Sequence, residues 1–124
     1  MQQKAKYLMI VSMDIDPDHE ALFNEVYDQE HIPNLRRVPG VLGIVRCKRE
    51  ELIMSIGGET KTIHAENEPT YSVIYELESP DVLTSPEWNQ AVEAGRWPTQ
   101  VRPHTRNRRH VLLRTTSGLH PLGG

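Results

Sequence analysis

The stretch Phe23-Asn-Glu-Val-Tyr-Asp-Gln-Glu-His-Ile-Pro-Asn-Leu-Arg-Arg-Val-Pro-Gly-Val-Leu-Gly-Ile-Val-Arg46 decides the fold. Leu22, Phe23, Val26 and Tyr27 recur at helical spacing and form one apolar stripe. The same spacing carries on to Glu30 and His31, so a helix face turned toward a sheet ends in an acid and an imidazole. Pro33 disfavours helical geometry at Ile32. The helix is therefore expected to end near His31, with one further turn at Asn34 to Arg37. Val38-Pro-Gly40 then makes a corner, and Val41 to Cys47 reads as a strand that extends at most through Ile56.

Working outward, residues 6–15 form the first strand. Tyr7, Met9, Val11, Met13 and Ile15 lie on one face, with Leu8 and Ile10 on the other. Apolar residues on both faces mark a central strand covered on both sides. Asp16-Pro-Asp18 starts the helix, with Asp16 as cap and Pro17 in the first turn. Gly57-Gly58 signals a hairpin, with Thr60 to His64 as its returning arm. Thr70 to Leu77 is the clearest strand, alternating Tyr71, Val73, Tyr75 and Leu77 against Thr70, Ser72 and Glu76. Ser79-Pro80 and Ser85-Pro86 are helix starts: a short turn near 80–84 and a helix over 86–95 closed by Gly95. Trp97-Pro98 ends that region, and Arg108 to Thr116 is the last strand.

The order is β-α-β-(hairpin)-β-α-β, the split pattern of a ferredoxin-like α+β sandwich with an antiparallel sheet. Residues 1–117 make a single domain, 49–66 is an extra hairpin within it, and 118–124 is a C-terminal tail without periodicity. Helices cover one sheet face. The apolar residues of the other call for a cover, and a second copy of the chain is the simplest one, so a homodimer is expected.

The bulk numbers fit this reading. A chain of 124 residues suits one domain. Net charge is -3, which speaks against a nucleic-acid partner. The single cysteine, Cys47, rules out an internal disulfide and reads as a small buried strand residue. The apolar run Tyr7 to Val11 is too short for a signal segment or a membrane span. A soluble, cytoplasmic protein with no membrane partner is expected.

Tyr27-Asp-Gln-Glu-His-Ile-Pro33, Val38-Pro-Gly-Val-Leu42, Tyr71 to Leu83 and Ser85-Pro-Glu-Trp88 together resemble the dimeric α+β barrel superfamily, in its EthD-like and related small members. The resemblance covers residues 6 to about 114. It implies a ligand cleft between each sheet and its helices, in a dimer. Such proteins include cofactor-free monooxygenases, isomerases, lyases and dehalogenases, haem-degrading enzymes and proteins without an assigned reaction. The residue carried over is His31, which matches the family's motif histidine. The segment 49–66 departs from simpler members.

A histidine titrates near neutral pH and can donate or accept a proton, so His31 is the candidate acid/base. Glu30 or Asp28 would orient its ring. Tyr27, Arg46, Tyr71 and Trp88 are candidate substrate-binding groups: Tyr27 and Arg46 as anchors, Tyr71 as a cleft tyrosine and Trp88 as a wall. The plainer readings stand beside these. His31 could simply cap a helix C-terminus, and Arg46 could be a solvated or dimer-contact arginine. The tyrosines and Trp88 and Trp97 could be packing residues. Metal ligation by His31 with Glu30, or haem on His31 or His104, ranks below a site without metal or cofactor. The basic run Arg102-Pro-His-Thr-Arg-Asn-Arg-Arg-His110 reads as a solvated loop and a charged edge strand. The leading functional expectation is a cofactor-independent enzyme, a lyase or isomerase moving a proton on a small aromatic or carbonyl-containing metabolite. Its rivals are a non-catalytic small-ligand-binding or accessory protein and a cofactor-free monooxygenase.

Overall fold

A computed structural model describes residues 6–117. Four strands, β1 (Tyr7–Ile15), β2 (Val41–Lys48), β5 (Tyr71–Leu77) and β6 (Thr105–Arg114), build the main sheet. It is antiparallel throughout, in the order β2-β5-β1-β6. A separate two-stranded sheet holds β3 (Leu52–Ile56) and β4 (Glu59–Ile63), joined at Gly57 and Gly58. β1 is antiparallel to both β5 and β6, and β5 to β2. Hence β1 runs parallel to β2 and β5 to β6, each pair joined by a helical crossover. This is the ferredoxin-like arrangement.

The odd-numbered residues of β1 from Met9 and the odd-numbered residues of β5 face the helices and are buried, together with Phe23, Val26, Tyr27, Leu35, Val82, Trp97 and Val101. The opposite face carries Leu8, Ile10 and Ile74, half-buried, beside exposed Val45, Val111 and Leu113. Register places these six side by side across all four strands. The hairpin also exposes Leu52, Ile53, Met54 and Ile56. Cys47 is exposed on the outer face rather than buried, because it pairs with Ser72 and not with an inward residue.

The first helical region differs from the expectation at Pro33. A 3₁₀ turn, Pro17–His19, leads into α1 (Glu20–Val26). Tyr27–His31 is a π turn, and α2 (Ile32–Arg36) continues from it without a break. The Ile32 amide donates to the Tyr27 carbonyl, five residues back. Proline lacks an amide hydrogen and its ring crowds the carbonyl four residues earlier; the widened turn makes room for Pro33 and the helix continues. Asp16 does not cap with its side chain, whereas Ser79 and Ser85 accept from the Asp81 and Trp88 amides and start the 80–84 turn and α3 (Pro86–Val92). A second π turn, Trp97–Val101, and a 3₁₀ turn, Arg102–His104, precede β6. The 118–124 tail lies outside the described residues.

Candidate functional site

Each π turn begins with an aromatic residue, and the two turns meet. The Tyr27 and Trp97 rings pack edge to face at 4.8 Å. His31 closes the group, lying nearly flat on Trp97 at 4.4 Å and edge-on to Tyr27 at 5.1 Å. A π turn adds a residue to one helical turn and rotates the residues beyond it; such turns recur at functional sites. Here Tyr27 and His31 are both buried on the sheet side. Glu30 ties the two turns together. Its carboxylate accepts from the Arg96 amide at 2.9 Å and from Arg96 Nε at 2.5 Å, and Arg96 also pairs with Glu25. The approach needs Gly95, whose φ is +70° and where a Cβ would come within 2.6 Å of Glu30 Oε1.

Between these turns, α3 and the sheet lies a cavity of about 170 Å³. Met9, Val11 and Met13 form its floor, Trp88 and Trp97 stand as walls, and Tyr27, Tyr75 and His31 supply polar atoms. Tyr75 is buried and packs edge-on to Trp88 at 5.5 Å. Among the described residues the Tyr27 and Tyr75 hydroxyls have no hydrogen-bond partner, and His31 Nδ1 is buried without one. Buried polar groups are normally paired; His31 Nδ1 is an exception, and Tyr27, Tyr75 and His31 all line the cavity. Arg102, Arg108 and His110 complete the lining.

Burial pushes the His31 pKa down to about 4, Arg102 adding to the shift and Glu93 opposing it. The imidazole is therefore neutral at physiological pH. Burial raises both tyrosine phenols above their ordinary range, against the pull of Arg46. Tyr27, Tyr75 and His31 are neutral hydrogen-bonding groups in an aromatic enclosure that Arg102 and Arg108 complete with positive charge.

The structure brings Tyr27, His31 and Trp88 together at the cavity and places Asp28, Glu30, Arg46 and Tyr71 outside it. Neither acid orients His31: Glu30 belongs to Arg96, and Asp28 accepts from Arg46 at 2.9 Å. Arg46 also donates to Asn24 and its guanidinium lies over the Tyr27 ring at 4.8 Å, so it buttresses the back of Tyr27. Tyr71 donates to Glu20 at 2.5 Å. Tyr75, Arg102, Arg108 and His110 do not stand out in the sequence. Tyr75 looks like any inward strand tyrosine, and the three basic residues lie in a run that reads as solvated.

Asp16, His19 and His104 form one further group, with ligand atoms within 4.8 Å of one another. The two imidazoles stack at 3.5 Å with planes 9° apart. Ring-nitrogen lone pairs lie in the ring plane, so parallel rings do not aim at a common ion. The group reads as a stack beside Asp16, which also faces Arg106.

Neither family models nor curated proteins match the chain. Solved structures do. An EthD (ethyl tert-butyl ether D) family protein from Bacillus halodurans aligns at 14% identity and a TM-score of 0.53, over 86% of this chain and 95% of that one. A MhuD variant crystallised with two manganese protoporphyrin IX molecules per active site aligns at 12% identity and a TM-score of 0.58, over 93% and 99%. The chain has the protomer fold of the dimeric α+β barrel proteins. At these identities the likeness is one of fold. Among the described residues no helix is long and apolar enough to cross a membrane.

Proposed function

We propose that the cavity binds a small aromatic or carbonyl-containing metabolite and that His31 takes a proton from it, in a lyase- or isomerase-type reaction that needs no cofactor. The observation that carries this reading is that His31, buried and with a partnerless Nδ1, lines an aromatic cavity. An orphaned polar atom in a packed interior costs stability, about 1–3 kcal/mol, and a bound substrate would offset that cost. With a pKa of about 4 the imidazole starts neutral, so its first act is as a base. Tyr27 and Tyr75 line the same cavity, and their hydroxyls would donate to the oxygen on which negative charge develops. Trp88 and Trp97 set the shape for a planar ring.

The size of the cavity limits the ligand. About 170 Å³ is below the ~300–1,000 Å³ of sites for drug-sized molecules. One or two fused rings fit; a porphyrin, as bound by the MhuD variant, does not fit between Trp88, Trp97 and the sheet. A cofactor-free monooxygenase would use the same base to ionise a quinol before oxygen reacts, and oxygen uptake separates it from the leading reading. A binding protein would hold the same ligands without turnover. The outer sheet face is proposed to pair with a second copy, given its six apolar side chains across four strands. The free, exposed Cys47 suits a reducing, cytoplasmic setting.

The test is hydrogen exchange at the substrate. Small phenols, aromatic ketones and lactones are incubated in D2O with wild type and with His31→Gln. Deuterium incorporation that falls by about 10²–10⁴-fold in the variant supports the base. Incorporation indifferent to residue 31 refutes it, and binding without exchange leaves the non-catalytic reading standing.

A further inference from the structure

β6 contains a bulge whose geometry serves one side chain. Ser12 pairs with Arg109 and Asp14 with Arg106, so β1 advances two residues where β6 advances three. Asn107 and Arg108 together oppose Met13. Asn107 takes the left-handed conformation, with φ at +52°, which asparagine tolerates better than most residues. Its side chain pins the bulge by donating to Asp14 Oδ2 at 3.1 Å and to the Asn67 carbonyl at 2.9 Å.

The bulge changes the alternation of the strand. Thr105 pairs with the inward Ile15, so in a regular strand the odd-numbered residues would continue inward. The extra residue reverses this. Arg108 and His110 line the cavity, while Arg109 turns to the other side and pairs with Glu68 at 2.8 Å. Bulges commonly re-aim a side chain beside a site.

The two cavity arginines are in different states. Arg102 is held fork to fork by Glu93, both bonds at 2.9 Å. Arg108 has no hydrogen-bond or ion-pair partner among the described residues. Arg108 and His110 are exposed, and the Arg108 guanidinium is a free bidentate donor at the rim of the cavity. Guanidinium forks match carboxylates.

We infer that the ligand is an aromatic carboxylate, its ring between Trp88 and Trp97 and its carboxylate held by Arg108 with His110 at the β6 rim. This rests on the proposed use of the cavity and adds the charge of the substrate class. His110 serves as a neutral donor in the same contact. Arg102 is not required, because Glu93 already satisfies it.

The test pairs acids with their uncharged amides: benzoate with benzamide, and 2-naphthoate with 2-naphthamide. Affinity is measured by titration calorimetry for wild type, Arg108→Gln, Arg109→Gln and His31→Gln. Wild type should prefer each acid over its amide by tenfold or more. Arg108→Gln should weaken acid binding by roughly tenfold to a hundredfold and leave amide binding unchanged, in line with one charge-assisted contact. Arg109→Gln, on the outer side, should change neither. Arg108 makes no bond in the free protein, so its variant should melt as wild type does. Acid and amide binding equally, Arg108→Gln weakening both alike, or no acid binding at millimolar concentration each overturns the inference. Amides that bind in a His31-dependent way while acids gain nothing would keep the cavity reading and remove the carboxylate. Binding of every probe that ignores both His31 and Arg108 would remove both.

Discussion

Acid should destabilise this protein through His31, by an amount the structure sets. The imidazole is 4% exposed, and its burial beside Arg102 brings the pKa from the ordinary 6.5 to about 4. Above pH 6.5 the residue is neutral both folded and unfolded and adds no pH dependence. Between 6.5 and about 4 the unfolded chain binds the proton and the folded one does not, so stability falls as pH falls. Below about 4 both states are protonated and the loss is complete. At about 1.36 kcal/mol per pH unit the span corresponds to roughly 3 kcal/mol. The assay is urea unfolding of wild type and His31→Gln from about pH 7.5 to about pH 4. The other titrating groups are common to both proteins, so the difference between the two stabilities isolates residue 31. Wild type should lose up to roughly 3 kcal/mol more than the variant, nearly all of it below pH 6.5. Parallel curves would mean that the imidazole meets water or a partner when protonated, and the buried neutral base would have to be abandoned.

Other perturbations probe the frame around the site. Gly95→Ala combines a left-handed φ with a Cβ pressed on Glu30, and should cost at least the ~1–2 kcal/mol of the backbone strain alone; a melting temperature equal to wild type would show that Glu30 does not lock the two π turns. Trp97→Ala should cost about 3–5 kcal/mol and raise the His31 pKa by admitting water, which an NMR titration of the ring protons would read; a pKa still near 4 would put the burial of His31 elsewhere. On the proposed outer-face pairing, wild type should sediment as a dimer and Ile74→Asp, at the middle of that face, as a monomer in sedimentation equilibrium. A dimer that survives the change would move the interface off that face.

Much of the fold is legible in periodicity. Tyr71, Val73, Tyr75 and Leu77 alternate so regularly that β5 could hardly be anything else, and Gly57-Gly58 marks the hairpin because both residues need positive φ. The split order of elements comes from these. Part of the site is visible too, since the apolar stripe runs on to His31. The wiring of the acids is not. Glu30 and Asp28 lie beside His31 in sequence, but carboxylates go to the nearest guanidinium that the fold delivers, and Arg96 and Arg46 arrive from distant segments. Local sequence carries no trace of those partners.

The two features that most shape the cavity are both one-residue insertions into regular structure, and this explains why a reading based on period misses them. Pro33 reads as a stop because an α-helix cannot accommodate its ring; a π turn can, and Tyr27 and His31, which helical spacing already sets on one face, open and close that turn on the buried wall. Asn107 reads as one more polar residue in a basic run; with φ at +52° it shifts the strand by one and sets Arg108 and His110, both exposed, on the cavity side. In a strand, a periodic reading assumes that no residue is added, so it assigns every later side chain to the opposite face when one is. Both insertions carry a chemical signature, a proline inside a continuing apolar stripe and an asparagine between arginines on an edge strand. In β6 the inserted residue sits next to Arg108, the side chain it re-aims.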